Sequence, residues 1–214
     1  MSEKHIIINI GRQLGSGGRI IGQRLAKDFN CQFYDREILN LAAKESGFSE
    51  KLFEQHDEHK QFFKSLFQSQ GQHLSDGNFY RNRLSQESLF EFQSNAIRHA
   101  ASKGSCVFVG RCADYILRDY EGVINIFVTA DIEERADRVA ERHQCSKEKA
   151  LQIISQKEGH RASFYNYYTG KKWGYSDNYD LCVNSSLLGI EGTGRFIAQY
   201  IRERLGVKRQ TASE

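Results

Sequence analysis

The four residues 15–18, with the sequence Gly-Ser-Gly-Gly, have the composition of a phosphate-binding loop. The β-branched run 6–10 precedes them, and apolar residues at helical spacing follow from Arg19. Glycines let successive backbone N–H groups turn inward around an anion, and the positive end of the following helix adds to that cradle. The residues predicted to bind phosphate are therefore Gly15, Ser16, Gly17 and Gly18.

The loop lacks the lysine and the hydroxyl residue of the common phosphate-loop pattern G-x-x-x-x-G-K-[ST]. With Gly17 as the second glycine of the pattern, Gly18 replaces the lysine and Arg19 replaces the hydroxyl residue. Arg12 then replaces the first glycine. In the frame shifted by one residue, Arg19 takes the lysine position and Ile20 the hydroxyl position. Two interpretations stay open: a phosphate site without its lysine, or a glycine-rich turn that only packs a strand against a helix.

The dinucleotide-binding pattern G-x-G-x-x-G also fails, because Ile20 stands where that pattern needs a small residue, and this disfavours an oxidoreductase. Arg12 and Arg19 flank the glycines. We predict that both bind phosphate and that Arg19 supplies the charge of the missing lysine, because a guanidinium group matches phosphate oxygens in pairs. The alternative for Arg19 is a solvated side chain in the first helical turn.

The elements around the loop alternate between strands and helices along the chain. Short apolar runs predict strands at residues 6–10, 31–35, 106–110, 123–130 and 179–185. Helical spacing predicts helices after residue 19, over 85–103, after a capping box formed by Asp131 and Glu134, from an N-cap at Ser146 to Ile154, and before Gly206. Such alternation predicts an α/β three-layer sandwich around a mainly parallel sheet.

Length and composition predict one domain over residues 1–206. Residues 48–83 fit the alternation poorly and are predicted to form a helical insertion, with a polar loop over 68–82. A lid is predicted at about 143–172, and residues 207–214 are predicted to be a flexible tail.

Charge and hydropathy exclude several classes of partner. The net charge of +3 is too small to predict nucleic-acid binding, and no apolar run reaches the roughly 20 residues that span a bilayer. The start of the chain lacks the apolar core of a signal peptide, which favours a cytoplasmic location. The histidines show no metal-ligand spacing, so no metal ligand is assigned, and the five cysteines are expected to stay reduced.

Five blocks of sequence, in order along the chain, resemble the cytidylate kinase-like proteins, relatives of the bacterial (d)CMP kinases among the P-loop kinases. These blocks are "IGRQLGSGGRIIG", "FYDREIL", "GSCVFVGRCADYIL", "IFVTADIEERADR" and "RASFYNYYTGKKWGYSDNYDLCVNS". The resemblance implies a P-loop kinase fold that transfers the γ-phosphoryl group of ATP, with Mg²⁺, to CMP, dCMP or another small acceptor. The implied partners are small-molecule nucleotides, and we expect a monomer or a homodimer.

The same resemblance assigns residues to the acceptor and to the lid. Asp35 and Arg111 match acceptor-binding positions, whereas Cys112 stands where the (d)CMP kinases carry an aspartate and Asp114 follows two residues later. An N-cap of the next helix is the alternative for Asp35. Lys157 and Arg161 are spaced to share one helix face, as a lid requires, although a solvated helix face gives the same spacing. The residues predicted to be catalytic are Arg19, Lys157 and Arg161, and those predicted to bind the acceptor are Asp35, Arg111 and Asp114.

The alternative function is a nucleotide-binding module of the same fold with little or no kinase activity. The missing loop lysine and the missing Ser or Thr motivate it, because both groups are recurring parts of phosphoryl-transfer sites.

Overall fold

The computed structural model describes residues 5–35 and 78–206. Most of the insertion predicted at 48–83 and all of the tail predicted at 207–214 lie outside these residues. The chain divides into two compact units, one made of residues 1–33 with 104–214 and one made of residues 34–103. The first unit contains the glycine loop and is described first.

Five strands form one sheet in the order β2-β3-β1-β4-β5. All of them run parallel, which confirms the predicted α/β class with helices flanking a central sheet. Each strand lies within one or two residues of its predicted position. The strands are β1 (Ile7–Arg12), β2 (Gln32–Tyr34), β3 (Cys106–Val109), β4 (Val123–Thr129) and β5 (Leu181–Asn184).

The helices of the described residues are α1 (Gly18–Asp28), α2 (Asn78–Lys103), α3 (Ala113–Ile116), α4 (Ile132–His143), α5 (Lys147–Thr169) and α6 (Gly189–Arg204), with a 3₁₀ turn at Ser176–Asn178. Two predicted boundaries are wrong. α2 begins at Asn78, inside the stretch predicted to be a loop. α5 continues well past Ile154, because no residue stops it until Gly170 adopts the left-handed conformation that ends helices (φ 67°).

One face of the sheet packs against α1 and α6. Ile10 of β1 lies beside Val109 and Ile126 in the neighbouring strands, and all three side chains are buried. Ile21 of α1 and Ile197 of α6 cover them in the same apolar cluster. Each fully buried side chain of this size contributes about 1.5–3 kcal/mol relative to exposure, so this cluster fixes where β1 ends and α1 begins.

A second apolar cluster joins α4 and α5 to the segment between β1 and α1. Ala136 and Val139 of α4 pack with Ala150 and Ile154 of α5 and with Leu14, which immediately precedes the glycines. The loop therefore carries its own apolar anchor. In the described ranges, no helix combines the length and the hydropathy needed to cross a bilayer.

The predicted helix starts differ in how they are capped. Ser146 is the N-cap of α5, and its hydroxyl accepts a hydrogen bond from the backbone N–H of Lys149 at 3.3 Å, as predicted. Asp131 does precede α4, but the predicted capping box is wrong. The Asp131 carboxylate accepts a hydrogen bond from Asn184 Nδ2 at 2.8 Å, and Glu134 pairs with Arg138 instead. Tertiary partners have replaced the local ones.

Candidate phosphate-binding site

The glycine loop connects the end of β1 to the start of α1. Gly15 and Gly17 both adopt left-handed backbone conformations, with φ of 83° and 78°. Ser16 is buried between them, and its hydroxyl donates a hydrogen bond to the Gln13 carbonyl at 2.9 Å. The first turn of α1 contains no acidic residue, so the positive end of the helix faces the loop without an internal carboxylate to neutralise it. Such a terminus favours an anion.

The loop is fastened to α4 at Gly15. Arg138 Nη1 donates a hydrogen bond to the Gly15 carbonyl at 3.0 Å, while its other nitrogen pairs with Glu134. A Cβ atom at Gly15 would lie only 2.7 Å from the Arg135 backbone oxygen and 2.9 Å from its Cα. Position 15 therefore needs glycine twice over, for its backbone conformation and for the close approach of α4.

The loop is fastened to α5 by a buried ion pair. Glu158 Oε1 accepts hydrogen bonds from the Leu14 backbone N–H at 2.8 Å and from Arg135 Nη1 at 2.7 Å. Arg135 Nε also donates to the Ala130 carbonyl at 2.9 Å. The side chains of Arg135 and Glu158 are 8% and 18% exposed, so the arginine is shielded from water and the glutamate is largely so. Glu158 thus holds the loop, α4 and α5 together.

Other contacts complete the support of the loop. The Ser185 hydroxyl, which follows β5, donates to the Ser16 carbonyl at 2.7 Å. Arg161 Nη1 of α5 donates to the Arg12 carbonyl at 3.2 Å. Lys157 lies on the same helix and is half-buried. Burial, together with the charge of Lys157, lowers the pKa of His160. The two cations predicted for the lid therefore lie on one continuous helix, and one of them contacts the loop directly.

A strained turn follows β3, the strand beside β1. Gly110, Arg111 and Cys112 adopt left-handed conformations in succession, with φ of 77°, 62° and 56°. For a residue with a side chain this conformation costs about 1–2 kcal/mol, and such residues cluster at binding and catalytic sites. The Gly110 N–H donates to the Ile10 carbonyl at 3.0 Å, which ties the turn to the end of β1. We call residues 110–112 the arginine turn.

Asp114, in α3, connects the arginine turn to α5. Its Oδ2 atom accepts a hydrogen bond from the Tyr165 hydroxyl at 2.7 Å. Burial raises the pKa of the Asp114 carboxyl group, and the hydrogen bond from Tyr165 partly opposes that rise. Burial and the neighbouring carboxylate also raise the pKa of Tyr165 far above its usual value. This hydrogen bond therefore forms a shielded contact between α5 and the arginine turn.

The two arginines that flank the glycines lie in different directions. The guanidinium carbon of Arg19 lies 5.8 Å from the centre of the Phe33 ring, and Arg19 is exposed on the first turn of α1. The side chain of Arg12 instead lies against Gly18 and Gly110, because a Cβ atom at either glycine would overlap it. Asp35 belongs to the second unit, where it is buried and follows β2.

The sequence matches a family model over most of its length. Residues 7–187 match the model of the cytidylate kinase-like family. The chain belongs to this family. The family's match covers the glycine loop, the arginine turn and the whole of α5, so the resemblance predicted from five sequence blocks is confirmed.

Curated relatives and solved structures agree with this membership. A cytidylate kinase from Pyrococcus horikoshii is 26% identical over 194 residues, which cover 90% of this chain and 86% of that protein. A cytidylate kinase from Ignicoccus hospitalis is 35% identical over 92 residues, 42% of this chain and 52% of that protein. An uncharacterized protein from Eubacterium ventriosum has a solved structure that is 28% identical, with a TM-score of 0.71 over 94% of this chain and 100% of that one.

The chain shares its architecture with a small-molecule kinase of solved structure. Shikimate kinase from Bacteroides thetaiotaomicron superposes with a TM-score of 0.52 over 95% of this chain and 99% of that one, at 14% identity. This likeness shows the fold alone. The fold of this chain is therefore that of nucleotide and small-molecule kinases.

Sequence reasoning missed the residues that hold the loop from behind. These residues are Arg135, Arg138 and Glu158. They belong to no recognisable sequence motif, and a charged residue on a helix is ordinarily read as part of a solvated face. The sequence does hold one signal for Arg135. It lies next to Ala136, on the face of α4 where Ala136 and Val139 are buried, and a buried charged residue needs a partner. Nothing in the sequence names Glu158 as that partner, because it lies 23 residues away.

Proposed function

We propose that the protein transfers the γ-phosphoryl group of ATP to a nucleoside monophosphate of the CMP or dCMP type, or to another small acceptor. One observation carries the proposal: the glycine loop and the arginine turn follow neighbouring parallel strands, and a hydrogen bond from Gly110 to Ile10 ties the turn to the strand that leads into the loop. Open α/β sheets bind ligands at the carboxyl ends of their strands. Family membership and the curated relatives support the choice of nucleotides as ligands.

In this proposal the loop binds the donor phosphates. The backbone N–H groups around the left-handed Gly15 and Gly17, with the positive end of α1, cradle the anion. Phosphoryl transfer depends mainly on positioning and on neutralising the charge that spreads over the phosphate oxygens. Arg12 and the α5 cations Lys157 and Arg161 are the groups proposed to neutralise it, with Arg161 already against the start of the loop.

The acceptor binds at the arginine turn in this proposal. Arg111 has the charge to hold an acceptor phosphate, and its left-handed backbone is a form of strain that clusters at binding and catalytic sites. Asp114 is committed to Tyr165, so its proposed contribution is to orient the turn through α5. That Asp35 binds the acceptor stays a prediction from the sequence. No general base is required when the acceptor group is a phosphate.

Mg²⁺ enters the proposal as the partner of the triphosphate. Among residues 5–35 and 78–206, no three His, Cys, Asp or Glu side chains come together where they could hold a metal ion. The loop hydroxyl of Ser16 donates to a backbone carbonyl. Mg²⁺ commonly keeps several waters and binds through substrate phosphates with few protein ligands. The proposed co-substrate is therefore ATP with its bound Mg²⁺.

A nucleotide-binding module without turnover is the second candidate. The placement of Arg19 over the Phe33 ring favours it, because Arg19 is the only cation that either reading frame of the loop puts at the lysine position. The two candidates differ in a measurable way, since both require ATP to bind but only the first requires label to move.

The test combines transfer and binding on the same protein. Purified protein is incubated with Mg²⁺, γ-labelled ATP and a panel of nucleoside monophosphates, and ATP-induced stabilisation is measured by thermal melting. Label on CMP or dCMP supports the kinase with a cytidine acceptor, and label on another acceptor supports the kinase with that acceptor. Stabilisation without transfer supports the binding module. If the protein neither transfers label nor is stabilised by ATP, the assignment of the loop is refuted.

Two arginine variants then test the acceptor site. Arg111→Ala is expected to raise KM for the acceptor at least about tenfold, the effect of losing one hydrogen bond between charged groups. Arg118→Ala is the matched control, because Arg118 is a neighbouring arginine that is 47% exposed and stacks on Tyr115 at 4.4 Å. An equal effect of both changes would remove Arg111 from the acceptor site.

A further inference from the structure

The space where the missing lysine would begin is already filled. With Gly17 as the second glycine of the phosphate-loop pattern, Gly18 occupies the lysine position. A Cβ atom built there would lie 2.6 Å from the Cβ of Arg12, 3.2 Å from its Cγ and 3.4 Å from the Cβ of Val128. Real Cβ atoms do not approach other carbons to 2.6 Å. Gly18 is therefore small because the stem of Arg12 passes over it.

The other end of the Arg12 side chain reaches the arginine turn. A Cβ atom at Gly110 would overlap Nη1 of Arg12 and would lie 3.2 Å from its Cζ. Gly110 has a left-handed backbone as well, so a side chain there would be strained even without the overlap. The side chain of Arg12 thus runs from Gly18 at the loop to Gly110 at the end of β3.

The backbone of Arg12 is fixed at the end of β1. Its Cα lies opposite Val128 of β4, and its carbonyl accepts the hydrogen bond from Arg161. The next residue, Gln13, donates its backbone N–H to the Val128 carbonyl at 3.0 Å. The Arg12 side chain therefore starts from a fixed backbone position. It extends across the carboxyl ends of the strands from the glycine loop to the arginine turn.

We propose that Arg12 performs the role of the missing loop lysine. The cation that neutralises the transferred phosphoryl group then comes from a residue before the glycines rather than from one after them. This inference rests on the proposed kinase function and deepens it. Gly18 and Gly110 are the two small residues that open the path for the Arg12 side chain. The guanidinium group bridges the donor phosphates on the loop and the acceptor phosphate on the arginine turn, a pairing for which its two-sided fork is suited.

The expected effects separate the charge of Arg12 from its packing. Arg12→Met keeps an unbranched stem over Gly18 and removes the charge; it is expected to lower kcat about 10²–10³-fold, the usual effect of removing one preorganised donor from a transition state. Arg12→Lys keeps the stem and the charge and is expected to retain more activity than Arg12→Met. Arg195→Ala is the control, because Arg195 is 66% exposed on α6 and belongs to no part of the proposed site.

A swap of positions tests the geometry directly. Gly18→Lys alone is expected to lower the melting temperature, because its Cβ would overlap Arg12. The double variant Arg12→Gly/Gly18→Lys removes the Cβ and Cγ of Arg12, so it frees that space, and it restores the standard lysine position. It is expected to recover both the melting temperature that Gly18→Lys loses and a large part of the transfer rate that Arg12→Gly loses. A double variant no more stable than Gly18→Lys and no more active than Arg12→Gly would overturn the inference.

The readouts distinguish this inference from the proposed function. If the wild-type protein transfers label and Arg12→Met does so equally well, the kinase stands and the role of Arg12 is refuted. A larger loss in Arg19→Ala than in Arg12→Met would give the role to Arg19 and refute this assignment too. If the wild-type protein binds ATP without transferring label, loss of the extra stabilisation by ATP over AMP in Arg12→Met supports the phosphate contact, and its retention refutes it. If the wild-type protein shows neither transfer nor stabilisation, both proposals fail together.

Discussion

Removal of the Glu158 carboxylate is the sharpest test of how the loop is held. Glu158→Leu leaves the Arg135 guanidinium, 8% exposed, without its ion-pair partner, and it leaves the Leu14 N–H without its acceptor. Breaking a buried ion pair by removing one partner costs about 3–5 kcal/mol. Because Glu158 itself is 18% exposed and water can reach the vacated side, we expect a loss at the lower end, about 3 kcal/mol. For a chain of this length that corresponds to a fall in melting temperature of about 6–12 °C.

The assay is urea unfolding followed by far-ultraviolet circular dichroism, with thermal melting as a second measurement. Glu141→Leu is the matched control, because Glu141 is an exposed glutamate in α4 and a change there should stay within about 0.5 kcal/mol. Arg135→Met and the double variant Arg135→Met/Glu158→Leu complete a mutant cycle. The double variant should be less destabilised than the sum of the two single variants by at least about 1 kcal/mol, because neither charge is left buried alone.

One result would refute this reasoning. If Glu158→Leu costs no more than Glu141→Leu, or if the effects of the two single changes simply add, the pair does not act as a shielded unit. The loop would then be held by its apolar anchor and its other hydrogen bonds alone.

Two further predictions follow from the loop and from α3. Gly15→Ala should lower the free energy of unfolding by about 2–3 kcal/mol and weaken the stabilisation by ATP. The reason is that the new Cβ would lie 2.7 Å from the Arg135 backbone oxygen and that φ at this position is 83°. A thermal melt and a nucleotide titration that match those of the wild type would contradict this. Burial raises the pKa of Asp114 above its ordinary value of 3.8, so its contribution to stability is complete below that value and is lost as pH rises through the raised native pKa. Asp114→Asn keeps an acceptor for Tyr165 and removes that loss, so the melting temperature of the variant minus that of the wild type should grow from pH 4 to pH 7. A difference that stays constant or shrinks would contradict the assignment.

The sheet could be predicted from the sequence because buried parallel strands leave a local signal. Runs of β-branched and apolar residues such as 6–10 and 106–110 need no knowledge of their neighbours to be recognised. The N-cap at Ser146 is local in the same way, since its hydroxyl bonds three residues along the chain. Local signals of this kind located the loop and both ends of β1 to within two residues.

The rest depended on contacts that are distant in sequence. The sequence predicts a helix from Ser146 to Ile154. The turns that follow face the loop with Glu158 and Arg161, so they carry charges where a core helix carries leucines, and the apolar pattern does not show that the helix continues. The capping box at Asp131 failed because Asn184, 53 residues away, binds its carboxylate. The path of Arg12 depends on Gly18 and Gly110, two glycines in different segments that one side chain can reach only because β1 and β3 are neighbours.

The contacts along α5 have a consequence for how this chain can change in length. Three residues of α5 make these contacts in succession. Residues 158 and 161 bind the backbone at and just before the loop, and residue 165 binds Asp114 beside the arginine turn. A helix turns 100° and rises 1.5 Å for each residue, so deleting or inserting one residue among these positions would rotate at least one contact out of reach. The number of residues between positions 158 and 165 therefore sets the spacing between the two halves of the site. Insertions and deletions are expected to be tolerated after Gly170, where the helix has ended, but not within this stretch.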